Sequence, residues 1–359
     1  MAMRATALSR VSTAATPASP QLALLRVLHA QTALLRETLG EAGLERWRAL
    51  PRHRGLNAVH LEGEGRPVVL MHGYGSGLAL FFPTMRRIQE LARPPPVYAV
   101  DWFGCGASDR PADGASPLLS PAACSPSKRS AAVARAVSFF TDSLAGWFDD
   151  VLGRDERVTL VGHSLGGYLV SRFALSHPGR VARLFLASPA GVPAASDGAR
   201  RSRLSLALLD ALWAANVTPQ RIVRAMGEAR GREMVRRAVA GRFRADLTKS
   251  RATLLTADYL HALASAPPSG EFALNSILAP PFRAGGVTAR EPLVGVMPAD
   301  RAARPFSVDV AFGDRDWLGT PAALEAARRF ADDVVVFGRA GHHLYMDSPD
   351  AFTEFALRS

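Results

Sequence analysis

Short apolar runs alternate with stretches whose apolar residues step at three and four, and that alternation organises most of the chain. Six runs read as strands: Pro67–Met71, Val97–Asp101, Val158–Val161, Val181–Ala187, Val308–Phe312 and Val334–Phe337. Between the second and third, Val133, Val137, Phe140, Leu144, Trp147 and Val151 fall on one face of a helix, which therefore packs on a sheet. The Pro-, Ser- and Ala-rich stretch Pro111–Ser130 reads as a flexible loop. Strands alternating with helices predict an α/β protein with a mostly parallel central sheet flanked by helices.

The rhythm breaks once. After Pro189 no strand pattern recurs until Phe306, and Leu204, Leu208, Leu212, Val217, Ile222, Met226 and Val235 are spaced as on helices. A helical insertion there forms a cap over the carboxyl ends of the strands, where open α/β sheets bind their ligands. At the other end, Leu22, Leu25, Leu28, Leu35 and Leu39 predict a helix over residues 21–39. The expected organisation is an N-terminal extension (1–56), the first part of the core (57–190), a helical cap (191–305) and the second part of the core (306–359).

Composition narrows the function classes. Two cysteines among 359 residues exclude a disulfide framework and a Cys-rich metal site. The net charge of +11 favours an anionic partner: nucleic acid, an anionic membrane surface or an acidic substrate. The arginines are dispersed and no nucleic-acid module is visible, which leaves the membrane or the substrate, or a merely solvated surface. No apolar run reaches the length of about 18 residues that a membrane helix needs. Glu37 is the first acidic residue, and Arg4, Arg10, Arg26 and Arg36 precede it among Ala, Ser and Thr. That composition suits an organelle transit segment, mitochondrial for example, or an Ala-rich tail on a cytoplasmic protein. An intracellular protein peripheral to membranes is expected on either reading.

Chemistry enters at Gly162-His163-Ser164-Leu165-Gly166, which follows one predicted strand and opens a predicted helix, Leu165–Ser176. A serine on so tight a strand-to-helix turn is held exposed, at a helix N-terminus that favours a developing oxyanion. Its hydroxyl needs a base, and His342 follows the turn after the last strand, with adjacent His343 as rival. An acid must orient that imidazole. Asp316 lies just past the strand Val308–Phe312, with Asp314 the alternative, and Ser–Asp–His is the expected chain order. Oxyanion donors are expected from the backbone of Leu165 and of Tyr74, in His72-Gly73-Tyr74-Gly75-Ser76-Gly77. No Lys-Ser or Lys-Thr follows those glycines, so the loop is not a phosphate-binding P-loop. His72 has no partner at metal-ligand spacing and reads as a brace for the loop. No metal or organic cofactor is called for.

These motifs, in this order, resemble the α/β-hydrolase superfamily from about Asn57 to the C-terminus. Three segments, Asp101–Pro111, Tyr259–Glu271 and Gly341–Asp347, look like a lipid-acting subfamily within it. That subfamily includes N-acylphosphatidylethanolamine lipase, a lipid-droplet lipase coactivator and cardiolipin-specific phospholipases. The coactivator lacks the catalytic serine, whereas Ser164 is present here. The subfamily's H-x4-D element, linked to acyl transfer onto lysophosphatidic acid, falls on His342 and Asp347; alternatively, His342 is the base and Asp347 supports its turn. The resemblance implies a serine hydrolase cleaving lipid acyl esters, most simply of phospholipase or lysophospholipase type, at a transiently bound anionic membrane. An acyl-CoA-dependent acyltransferase and a non-catalytic lipid-droplet or membrane regulator are the alternatives. Arg201, Arg203, Arg221, Arg224, Arg236 and Arg237 are candidate contacts for a phosphate, and the apolar segment Leu204–Trp213 for an acyl chain.

Overall fold

The computed structural model describes residues 20–111, 126–194, 212–213, 215–242, 250–280 and 288–358. Leu204, Leu208, Arg201, Arg203 and the arginines before residue 20 lie outside them.

Eight strands form one sheet in the order β1-β2-β4-β3-β5-β6-β7-β8. They are β1 (Trp47–Ala49), β2 (Ala58–Leu61), β3 (Val68–Met71), β4 (Val97–Val100), β5 (Val158–His163), β6 (Val181–Ala187), β7 (Ser307–Gly313) and β8 (Asp333–Phe337). From β4 to β8 every pairing is parallel, while β2 runs antiparallel to both β1 and β4. Strand periodicity splits each central strand between two cores. Val69 and Met71 of β3 face one core and Val68 and Leu70 the other; Leu184 and Leu186 of β6 oppose Phe185 and Ala187 in the same way. Strands buried on both faces are continuous apolar runs, which is why β3 to β7 were legible in sequence, while β8 is an apolar run at the more exposed sheet edge.

Helices cover both faces. The first core is closed by α3 (Pro126–Trp147), α4 (Leu165–Ser176) and α7 (Pro321–Arg328). The second is closed by α1 (Pro20–Arg46), α2 (Phe82–Gln89), α6 (Arg251–Ser265) and α8 (Pro349–Ala356). Helix α1 kinks at Gly40 (φ 75°) and buries Val27, Leu34, Leu35 and Leu39, while Leu22 and Leu25 face solvent. In α3, Val133, Val137, Phe140, Leu144 and Trp147 are all buried. The helix starts at Pro126, inside the stretch expected to be a loop, because a proline is readily accommodated in a helix's first turn. Residues 112–125 of that stretch lie outside the described residues.

Arg183 of β6 fastens the C-terminus to the sheet. Its guanidinium pairs with Asp309 of β7 at 2.6 Å and donates to the carbonyls of Phe355, Ala356 and Arg358. Only 5% of that side chain is exposed, so its charge is tolerable only because each contact is made.

Between β6 and β7 the described chain is helical: α5 (Pro219–Arg242), α6, and one-turn helices at Leu274–Ile277 and Leu293–Val296. Thr218 accepts the Arg221 N–H at the start of α5 and donates to Glu271, which also holds Arg224 through two contacts, 2.5 and 3.0 Å. Among the described residues no helix is long and apolar enough to cross a membrane.

Candidate active site

Ser164 joins β5 to α4 with φ 55° and ψ −122°, a conformation costly for a residue with a Cβ. The turn is possible because its neighbours lack side chains. A Cβ on Gly162 would sit 2.4 Å from Val170, and one on Gly166 would sit 2.3 Å from the carbonyl oxygen of His72. The elbow is pinned on both sides: Ser164 N–H donates to the Ala187 carbonyl, and the Ser164 carbonyl accepts from Ala190 N–H, both at 3.0 Å.

Two loops at the same edge of the sheet bring the partners. The turn after β7 carries Asp316, and the turn after β8 carries His342. The structure sets His342 Nδ1 3.0 Å from Asp316 Oδ1 and His342 Nε2 3.0 Å from Ser164 Oγ. His342 and Asp316 are only 7% and 8% exposed. Burial pushes the Asp316 carboxyl up, but hydrogen bonds from His342 and the Leu318 amide, with the His342 charge and the nearby Ser188 hydroxyl, outweigh it and hold the group below the usual carboxylate range. An ionised Asp316 accepts the Nδ1 proton. Nε2 is then a bare lone pair facing the Ser164 hydroxyl.

The rivals are elsewhere. Asp314 accepts the backbone N–H groups of Arg339 (2.9 Å) and Ala340 (3.0 Å), so it shapes the turn that delivers His342. Those amides hold its carboxyl below the ordinary range. Asp347 accepts Gly341 N–H at 2.7 Å and braces the same turn from the other side. His343 faces Arg242, whose Nε and Nη2 lie 3.1 and 3.0 Å from its Nδ1.

His72 occupies the loop after β3. Trp102 N–H donates to its Nε2, its Nδ1–H donates to the Gly73 carbonyl, and the Trp102 indole donates to the His72 carbonyl at 2.9 Å. Asp101, which precedes Trp102, is fully buried and accepts the N–H groups of Leu78 and Ala107 and the Asn57 amide. This network sets the loop that carries Tyr74. The backbone N–H of Leu165, at the first turn of α4, has no intrahelical acceptor. Tyr74 donates from its hydroxyl to Gln220 of α5 at 2.8 Å, joining this loop to the helical segment above it.

Three supporting contacts escaped sequence reasoning, one of them made by a residue of the serine motif itself. His163 Nε2–H donates to the His342 carbonyl at 2.8 Å, across 179 residues of chain. Ser188, buried at φ 47°, helps hold Asp316. Gln220 grips Tyr74. Each acts through a long-range contact: His163 is marked by its place in the serine motif but its partner is not, and Ser188 and Gln220 belong to no local motif.

Ser164, Leu165, Tyr74, His342 and His343 line one cavity of about 420 Å³. Its remaining wall is mostly apolar: Ala190, Trp213, Leu274, Leu278, Trp317 and Leu318, with Arg242 the one cationic side chain among the described lining residues. The Trp317 ring lies 5.2 Å from the His342 ring and is 53% exposed. Among the described residues no group of His, Cys, Asp or Glu is arranged to hold a metal ion.

The buried histidines give the site a pH-dependent stability. Burial drives both His72 and His163 below the usual imidazole range; the Asp101 charge opposes it at His72, while His342 reinforces it at His163. Both rings stay neutral in the fold, so as pH falls below about 6.5 the unfolded chain gains protons first. Their effect is therefore absent above that pH and destabilises progressively down to their folded values. Asp316, held low, contributes only in a separate window beneath about pH 4. The melting temperature at fixed ionic strength should fall by about 3 °C or more from pH 7.5 to 5.5, measured by calorimetry. A flat profile would show that the rings protonate within the fold.

Comparison with known proteins agrees with this architecture. The chain is 31% identical over 321 residues to a 1-acylglycerol-3-phosphate O-acyltransferase of Arabidopsis thaliana, covering 85% of this chain and 69% of that protein. It is 29% identical over 300 residues to the human 1-acylglycerol-3-phosphate O-acyltransferase ABHD5, covering 80% and 75%. Among solved structures, naproxen esterase from Bacillus subtilis superposes with a TM-score of 0.57 at 16% identity, over 95% of this chain and 98% of that one. A membrane phospholipase A described as a bacterial virulence factor gives 0.56 at 20% identity, over 94% and 89%. Residues 68–355 match the alpha/beta hydrolase family, and with the eight-stranded sheet and its serine elbow the chain belongs to that family.

Proposed function

We propose that the protein is a serine hydrolase acting on lipid acyl esters, of phospholipase or lysophospholipase type. The observation that carries this reading is the unbroken chain Ser164 Oγ, His342, Asp316, opening into a largely apolar cavity. His342 Nε2 takes the Ser164 proton as Oγ attacks the ester carbonyl. The oxyanion develops toward the backbone N–H groups of Tyr74 and Leu165, each worth roughly 3–4 kcal/mol by analogy with a protease donor. Collapse breaks the ester C–O bond, and the His342 imidazolium protonates the departing alkoxide. Water, deprotonated by His342, then releases the fatty acid and regenerates Ser164.

The relatives' names favour a second reading of the same acyl-enzyme, in which the hydroxyl of an acylglycerol phosphate replaces water. In either case the substrate is presented at a lipid surface. The exposed Trp317 in the cavity wall supports this, since an apolar side chain at a cavity mouth can enter the headgroup region.

A fluorophosphonate probe should label the peptide carrying Ser164, and the purified protein should release fatty acid from a lysophospholipid. Phosphatidic acid formed on adding an acylglycerol phosphate would favour transfer over hydrolysis. Neither labelling nor acyl release would sink both catalytic readings.

A further inference from the structure

Three of the four described arginines named above as phosphate contacts are already committed. Arg224 is bound to Glu271 and to the carbonyls of Ala264 and Ala266. Arg236 pairs with Asp258, and Arg237 with Glu233. A guanidinium held by a carboxylate offers little to an incoming anion.

Arg242, the last residue of α5, is placed differently. It lines the same cavity as Ser164 and His342, and among the described residues no carboxylate reaches it. What it touches is His343. Both Nε and Nη2 donate to Nδ1 of that ring, at 3.1 and 3.0 Å. Arginine has only donors, so Nδ1 must be unprotonated and the ring neutral there. The imidazole thus orients the guanidinium without cancelling its charge, unlike the carboxylates that hold Arg224, Arg236 and Arg237.

The cavity is therefore polarised. Trp213, Leu274, Leu278 and Leu318 offer an apolar wall, Ser164 marks the ester, and a fixed cation stands at an exposed edge. We propose that Arg242, positioned by His343, binds the phosphate of an acylated glycerol phosphate and selects that lipid over its neutral acylglycerol counterpart. A guanidinium fork matches two phosphate oxygens, and at the rim the anion need not be fully desolvated. The inference rests on the reading of Ser164 as the group that takes the acyl chain. It adds the identity of the polar end.

The test uses ether lipids, which have no ester to cleave. Binding of a 1-O-alkylglycerol 3-phosphate and of the matching 1-O-alkylglycerol, both as monomers, is measured by calorimetry on the full chain. The wild type should prefer the phosphate by roughly tenfold to a hundredfold, the range for a charge-assisted contact. Arg242→Gln should erase that preference and leave the neutral lipid bound within about twofold. His343→Ala should weaken the preference, whereas His343→Asn should keep much of it, since an amide oxygen can accept where Nδ1 does. Millimolar inorganic phosphate should displace the ether phosphate poorly. A preference that survives Arg242→Gln overturns the assignment, and inorganic phosphate competing equally well would make this a free-phosphate site instead. Because no bond is cleaved, these outcomes stand apart from the catalytic reading: a protein that fluorophosphonate never labels can still discriminate the two ether lipids, and a labelled one can fail to.

Discussion

Ser164→Ala should abolish acyl release, lowering kcat by at least about 10⁴-fold and as much as about 10⁶-fold, the loss found when a serine protease is stripped of its nucleophile. Covalent labelling should vanish with it. Stability should hardly change. The alanine inherits the same strained backbone, since both residues carry a Cβ at φ 55°, and only the hydrogen bond to His342 is lost. One such bond is worth about 1 kcal/mol, so the melting temperature should move by no more than about 3 °C. Scanning calorimetry beside a fatty-acid release assay separates the two effects. Hydrolysis by the alanine variant within tenfold of wild type would show that the hydroxyl is not the nucleophile, and the elbow would then be a structural relic.

The parts of this fold visible in sequence are those whose information is local. Strands β3 to β7 announced themselves because burial on both faces demands unbroken apolar runs, and Val181–Ala187 was placed to the residue; β8 was legible from its Val334–Phe337 run although it is a largely exposed edge strand. Helix α4 was equally plain, since Ser164 and the glycines around it fix where it starts. The edge strand β1 and its neighbour β2 were missed. Trp47–Ala49 is three residues long, two of them charged or small, and it exists as a strand only through its register with Val59–Leu61. Nothing short of the pairing itself distinguishes such a segment from a loop. The same limit governs the site. Ser164, His342 and Asp316 were each nameable from the turn they occupy, and the structure brings all three within hydrogen-bond reach. His163, Ser188, Gln220 and Arg242 serve partners far along the chain, and each sits in a stretch whose local pattern already had a simpler reading. Leu22 and Leu25 show the converse: helical spacing placed them on one face of α1, but the face that packs is the one carrying Val27, Leu34, Leu35 and Leu39.

Asp316→Asn is the sharper probe of how the site works, because the surroundings allow the amide to keep the geometry while losing the charge. Asp316 Oδ1 accepts from both His342 Nδ1 and Leu318 N–H. An asparagine oxygen in that place can accept both, leaving Nδ2 to face the Ser188 hydroxyl, itself able to accept. His342 would then retain the tautomer that bares Nε2 to Ser164. What disappears is the anion that steadies the imidazolium once it has taken the serine proton. In a protease whose asparagine variant also adopts the wrong tautomer, the loss is about 10⁴-fold in kcat. Here the expected fall is roughly 10²- to 10⁴-fold, with the larger value meaning that the tautomer has switched as well. Asp314→Asn should cost less than about tenfold, because that carboxylate only collects the Arg339 and Ala340 amides and one amide oxygen replaces part of it. Steady-state kcat/KM on a soluble short-chain ester compares the pair without the complication of a lipid surface. If Asp314→Asn proved the more damaging of the two, the acid would have to be reassigned, and the 3.0 Å contact between Asp316 and His342 would be structural only.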